Sequence, residues 1–175
     1  MRIRFFQETD ENAISAVVET AFCEEENKPI IELALELVRE TTSPSIKSLV
    51  AEVNERVIGY VAYSLIFLKS ASGVSGSTIA LLTVSPQHQK QAVGSQLVRR
   101  CIDALTKEGV DVLLVYGDPA YYRRFGFLEK TCRGPMPPYP LAYPFGWTGM
   151  MLNETLQPNT AIQFDCVAAL PKPDL

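Results

Sequence analysis

The sequence predicts an α/β (α+β) chain, a mixed sheet flanked by helices. Three observations predict it: short apolar runs of strand composition recur along the chain, one long segment repeats its apolar residues at the helical period, and the two kinds of segment alternate. Composition agrees, because 47% hydrophobic residues beside 21% charged ones supply a core and argue against general disorder. A length of 175 residues without an internal repeat or an interdomain linker predicts a single domain over 1–170 and a short tail at 171–175.

Taken in order, residues 1–6 (MRIRFF) alternate apolar and basic side chains as a strand does. Thr9-Asp10 then offers capping chemistry to a helix carrying Ile14, Val17, Val18 and Ala21. The charge run Glu24 to Lys28 interrupts that pattern, and Pro29 opens a second helix through about Glu40. After a loop at 41–44, Ser48–Val53 and Val57–Phe67 read as two strands of a hairpin across Asn54-Glu55-Arg56. Ser70–Ser77 reads as a flexible loop, and Thr78–Val84 as a buried central strand that Pro86 ends. From Ala92 to about Lys107, Val93, Leu97, Val98, Cys101 and Leu105 follow the helical period, and Gly109 sits where a C-terminal cap belongs. Val110–Tyr116 is a second buried-type strand, and Asp118-Pro119 starts a short helix with Tyr121, Tyr122 and Phe125. Five prolines between Gly134 and Pro144 rule out a helix interior or a central strand, so this stretch is a loop. Thr148–Leu152 and Ala161–Val167 supply the closing strands, for a total of six to seven strands and about four helices.

Several function classes lose support. A net charge of -4 gives no general attraction for phosphate backbones, so nucleic acid is not an expected partner. The four cysteines, Cys23, Cys101, Cys132 and Cys166, form no CxxC pair and His88 is the lone histidine, so no metal site is expected and the cysteines read as reduced and structural. The N-terminus lacks an apolar signal core and no stretch approaches the ~20 apolar residues that span a bilayer, which predicts a cytoplasmic protein without a membrane partner.

The stretch Val84 to Leu97 (VSPQHQKQAVGSQL) turns from a buried strand through polar residues into an amphipathic helix. A helix's first turn leaves N–H groups without partners and carries partial positive charge, so such a junction stabilises an anion such as a pyrophosphate. Gly94 permits close backbone approach, and Lys90 and Ser95 can add hydrogen bonds. The same residues also suit a solvated loop before a closely packed helix. Neither GxGxxG nor a P-loop ending in GK[ST] is present, which lowers the dinucleotide and ATP readings.

Gln89-Lys90-Gln91-Ala92-Val93-Gly94 resembles the GNAT pattern Q/R-x-x-G-x-G/A, with a proline three residues before it. The stretch from Gly117 to Phe127 (GDPAYYRRFGF) resembles that superfamily's later signature, and is most like its YhbS-like branch. The resemblance runs from residue 1 to about 130. It implies an acyl-CoA N-acyltransferase fold, with acetyl-CoA as cosubstrate and a primary amine as acceptor. It further implies that Gln89 through Ser95 hold the pyrophosphate, that Leu82, Thr83 and Val84 bond the pantetheine arm, and that Tyr122 is the general acid. Ala92 departs from the pattern's first glycine; if that position needs positive φ, alanine costs on the order of 1 kcal/mol.

The strand Thr78–Val84 has no carboxylate to act as general base. Glu24, Glu25 and Glu26, expected in the connection between the first two helices, could serve, as could a water chain; His88 suits a surface or cofactor contact better. Two other functions remain open. One is a CoA-binding regulatory domain with little catalysis, suggested by Ala92 and the missing carboxylate; the other is a protein-interaction domain built on Tyr139, Tyr143, Phe145 and Trp147. The acceptor's identity and the choice between monomer and homodimer stay open as well.

Overall fold

The computed structural model describes residues 1–22, 24–39, 46–68, 74–129, 131, 135–136, 141, 143–153 and 162–165. The expected loop at 41–44, the first half of the expected loop at 70–77, Pro137 to Pro140, Cys23, Cys132, Cys166 and the tail lie outside these residues. Strand β1 (Arg2–Phe5), helices α1 (Glu11–Ala21) and α2 (Glu24–Arg39), and strands β2 (Ile46–Val53), β3 (Arg56–Leu68) and β4 (Ser75–Val84) come first. Helix α3 (Val93–Lys107), β5 (Val112–Tyr116), α4 (Pro119–Tyr122), β6 (Pro135–Met136), β7 (Trp147–Met151) and β8 (Ile162–Asp165) follow. The strand order is β1-β2-β3-β4-β5-β7, with β8 pairing β3 and β6 off this path. β4 and β5 are parallel while β1–β2 and β5–β7 are antiparallel, so the sheet is mixed as the sequence predicts.

The chain forms two compact units, Met1–Tyr63 with Leu81–Cys101, and Ser64–Ala80 with Ile102–Leu175. In the first, α1 packs on α2 and buries Ile14, Val17 and Val18 together with Ile30, Leu33 and Leu37. Asn54 and Glu55 both take positive φ (49° and 63°), the geometry of a two-residue hairpin turn whose twist matches its strands. Asp10 does more than precede α1. It is buried, its carboxylate accepts the Gln7 N–H at 2.8 Å, and it takes a two-pronged contact from Arg4 at 2.6 and 2.9 Å. Arg4 also donates to Glu52 at 2.9 Å, so one guanidinium ties β1 to β2 and to the turn before α1.

In the second unit, Val112 to Val115 are buried on both faces of β5, and Ile66, Val112, Leu114 and Trp147 form a cluster. The Asp111 carboxylate accepts from the Ser75 N–H at 2.8 Å and its hydroxyl at 3.0 Å, while the Asp111 carbonyl accepts the Leu152 N–H at 2.8 Å. One residue thus joins the ends of β4, β5 and β7.

Several boundaries differ from expectation, two of them by enough to reassign residues. α2 starts at Glu24, so Glu24 to Lys28 belong to the helix and Pro29 lies inside it. Glu and Lys are good helix formers and proline's fixed φ is helical, so a charge run that breaks the apolar period need not break the helix. β4 starts at Ser75, ahead of the expected Thr78, so Gly76 is a strand residue. A Cβ there would lie 2.7 Å from Ile66 Cγ1, so this glycine is what the neighbouring side chain requires. Pro135–Met136 likewise forms a two-residue strand beside β8 within the expected loop, off the central path where proline is tolerated.

Candidate functional site

In the first unit the strand-to-helix junction has a defined geometry. The Ser85 N–H bonds the Ile58 carbonyl at 2.9 Å, and Pro86–His88 then makes one 3-10 turn. Gln89 is extended, Lys90 takes φ +58° and Ala92 takes φ +63°. The ladder of α3 opens with Gln96 N–H to Ala92 carbonyl at 2.9 Å, which leaves the N–H groups of Val93, Gly94 and Ser95 ahead of it. Lys90, Gln91 and Ala92 are exposed and Gly94 is buried. The loop braces itself, since Gln89 Nε2 donates to the Val84 carbonyl at 3.1 Å and Gln91 Nε2 to the Gln87 carbonyl at 2.9 Å. Such a turn leaves backbone donors ahead of the helix ladder and carries partial positive charge, which is the chemistry that holds a phosphate.

Gly59 of β3 sets where this helix sits. A Cβ at Gly59 would lie 3.1 Å from Leu97 Cδ1, 3.2 Å from Val93 Cγ1 and 3.3 Å from the Thr83 carbonyl oxygen. Its missing side chain lets the first turns of α3 lie against the strands, so it positions the loop. Sequence reading missed this residue, and its one signal is a glycine inside an otherwise β-branched and aromatic strand. Beside it, the Thr83 hydroxyl is buried with no hydrogen-bond partner among the described residues.

In the second unit, the Asp118 side chain accepts the Ala120 N–H at 2.9 Å and so caps the turn that carries Tyr122. Tyr122 is buried at 7% exposure, packed edge-on to Phe127 at 5.5 Å and to Tyr121 at 5.0 Å. Its ring lies on Gly117, where a Cβ would come within 2.7 Å of Cε2. The turn behind Tyr122 ends at Gly126 with φ +97°, a backbone state that favours glycine.

The acetyltransferase (GNAT) domain family matches residues 44–129. The uncharacterised N-acetyltransferase YjhQ of Escherichia coli K12 is 28% identical over 133 residues, 74% of this chain and 72% of that protein. The uncharacterised N-acetyltransferase YhbS of the same strain is 34% identical over 85 residues, 46% of this chain and half of YhbS. A crystal structure of E. coli YhbS in complex with CoA has the same fold at a TM-score of 0.79 and 24% identity, covering 94% of this chain and 89% of that one. A GNAT family acetyltransferase from Brucella melitensis in complex with acetyl-CoA matches at a TM-score of 0.69 and 25% identity over 97% of each chain. The chain belongs to the GNAT superfamily.

This GNAT protein carries its two motif blocks in different units. Leu82, Thr83, Val84 and Gln89 to Ser95 lie together in the first, and Tyr122 lies in the second. The backbone of Glu24, Glu25 and Glu26 lies in the first turns of α2 and not in a connection, which corrects the expected placement of those candidate bases. His88 is half-buried, and its Nδ1 is buried without a partner among the described residues. Among the described residues, no group of three or more His, Cys, Asp or Glu side chains is placed to hold a metal ion. No described helix is long and apolar enough to cross a membrane.

Proposed function

We propose that this protein transfers the acetyl group of acetyl-CoA directly to a primary amine, acting in the cytoplasm as one transferase domain over 1–170. The observation that carries the reading is the junction at Lys90 to Ser95, where two residues at positive φ precede N–H groups that lie ahead of the α3 ladder. This arrangement fits a pyrophosphate, and the named relatives crystallised with CoA and acetyl-CoA support that ligand.

Acetyl-CoA supplies an activated thioester. The N–H groups of Val93, Gly94 and Ser95 hold its pyrophosphate, with Lys90 adding a charge-assisted bond. Gln89 and Gln91 hold the loop's shape through their bonds to Val84 and Gln87. The backbone of Leu82, Thr83 and Val84 pairs with the pantetheine arm, and a main-chain N–H near Val84 polarises the acetyl carbonyl. As the amine nitrogen bonds to the acetyl carbon and the carbon–sulfur bond breaks, the Tyr122 hydroxyl gives its proton to the departing sulfur. The amine's proton leaves through water, since β4 (SGSTIALLTV) offers no carboxylate.

Steady-state kinetics of Tyr122→Phe against a panel of primary amines tests this reading. Turnover falls roughly 10²- to 10⁴-fold while acetyl-CoA affinity stays unchanged. Undiminished turnover removes Tyr122 from the mechanism. A second reading, a CoA-binding domain with little catalysis, is favoured by the strained Ala92 and the empty base position. It predicts CoA binding, slow hydrolysis alone, and no effect of the tyrosine substitution.

A further inference from the structure

Tyr143 and Phe145 are each 59% exposed, whereas among the described residues the neighbouring aromatics Tyr116 and Trp147 are half-buried and buried. They stand at the Pro144–Gly146 turn with ring centroids 5.8 Å apart and planes tilted by 57°, an exposed aromatic wedge. The turn is pinned. The Tyr143 N–H donates to the Tyr116 hydroxyl at 3.1 Å, and the Gly117 N–H donates to the Gly146 carbonyl at 3.0 Å. Gly146 is also so close to its support that a Cβ would meet the Tyr116 ring at 3.0 Å and the Gly117 carbonyl at 3.2 Å. Gly117 is the residue on which the Tyr122 ring lies, so a single residue carries both the proposed general acid and the anchor of the wedge.

We infer that this wedge receives the acceptor, and that the acceptor is a primary amine on an apolar, ring-bearing body. The inference deepens the proposed transferase reading and rests on Tyr122 marking the reacting centre. An aromatic pair on a pinned turn loses less conformational freedom when a third ring joins it than one on a free loop, and ring pairs at 4.5–7 Å attract beyond their buried area. Charge points the same way: from Gly134 to Leu152 the chain has no Asp, Glu, Lys or Arg. A polyamine or an aminosugar with several ammonium groups needs carboxylates that the described residues of this turn and of β7 do not supply.

Calorimetric titration of the full chain saturated with CoA, using 2-phenylethylamine and spermidine, tests the inference without requiring turnover. 2-Phenylethylamine binds at least about tenfold more tightly than spermidine. Tyr143→Ala with Phe145→Ala weakens its binding by about tenfold or more, while Tyr143→Phe, which keeps the ring, does not, and CoA affinity is the same in all three proteins. Spermidine binding as tightly as the ring amine, no binding of the ring amine, or an unchanged affinity in the double variant overturns the inference. Acetyl transfer is read separately on the same samples: a protein that holds the ring amine in the wedge and transfers nothing keeps the binding site and removes the catalytic reading.

Discussion

Ala92 shows how one side chain can sit against its own backbone. A left-handed conformation costs a residue with a Cβ roughly 1–2 kcal/mol, and Ala92 holds φ +63° at the entrance to α3. Ala92→Gly therefore raises stability by about 1 kcal/mol, a midpoint rise of about 2–4 °C, and acetyl-CoA binds at least as tightly. Unchanged melting would mean that the loop relaxes without cost. Gly117 makes the opposite case, a position where a side chain cannot enter. Gly117→Ala pushes a Cβ into the Tyr122 ring, so on the proposed mechanism, with Tyr122 as general acid, turnover falls by roughly 10- to 100-fold while CoA binding persists, because misplacing such a group by about 1 Å is enough. A loss of CoA binding in that variant would show that Gly117 serves the fold and not the tyrosine.

Among the elements, β1 is a short edge strand, and Arg4 secures it by bonding Asp10 and Glu52 together. The Arg4 guanidinium holds the Asp10 carboxyl below its ordinary range, with the Gln7 N–H adding to the effect. An unfolded aspartate titrates near ~3.9, so this contribution is full above about pH 4 and is lost as pH falls through the lower folded value. Asp10→Asn accordingly costs about 1–3 kcal/mol at pH 7, and the difference from wild type shrinks as pH drops below about 4 toward the lowered folded value. Urea midpoints across that range check it; a gap that stays constant would assign the effect to packing. Element boundaries also show where local patterns reach their limit. The helix period of α3, the hairpin turn and the Gly109 cap are all encoded by neighbours in sequence, and the structure has them where the sequence puts them, the turn being Asn54-Glu55 with Arg56 already in β3. The first residues of β4 depend on Ile66, a residue of another strand that fills the space beside Gly76, so Ser75 to Ser77, the end of a Ser/Gly-rich stretch that reads as loop, is strand.

At the scale of the whole molecule, ligand linkage tests the GNAT assignment of the loop in one experiment. A ligand at 100 times its Kd stabilises the folded state by ~2.7 kcal/mol, roughly 5–10 °C for a chain of this length. CoA and acetyl-CoA produce that shift and ATP does not; equal shifts with ATP would make the junction a general phosphate site. By itself the sequence determined the order and type of most of the elements and the junction from Val84 to Gly94, because apolar periodicity, capping residues and turn chemistry act between residues close in the chain. It also carried the Tyr122 block, through Asp118-Pro119 and Gly126-Phe127. Only the tertiary structure decided the strand order, the seating of α3 on Gly59, the support of Tyr122 by Gly117, and the pinned pair Tyr143 and Phe145. Each of these is a close approach between residues far apart in sequence, and such contacts are set by which side chains can share a space, a property that no local spacing records.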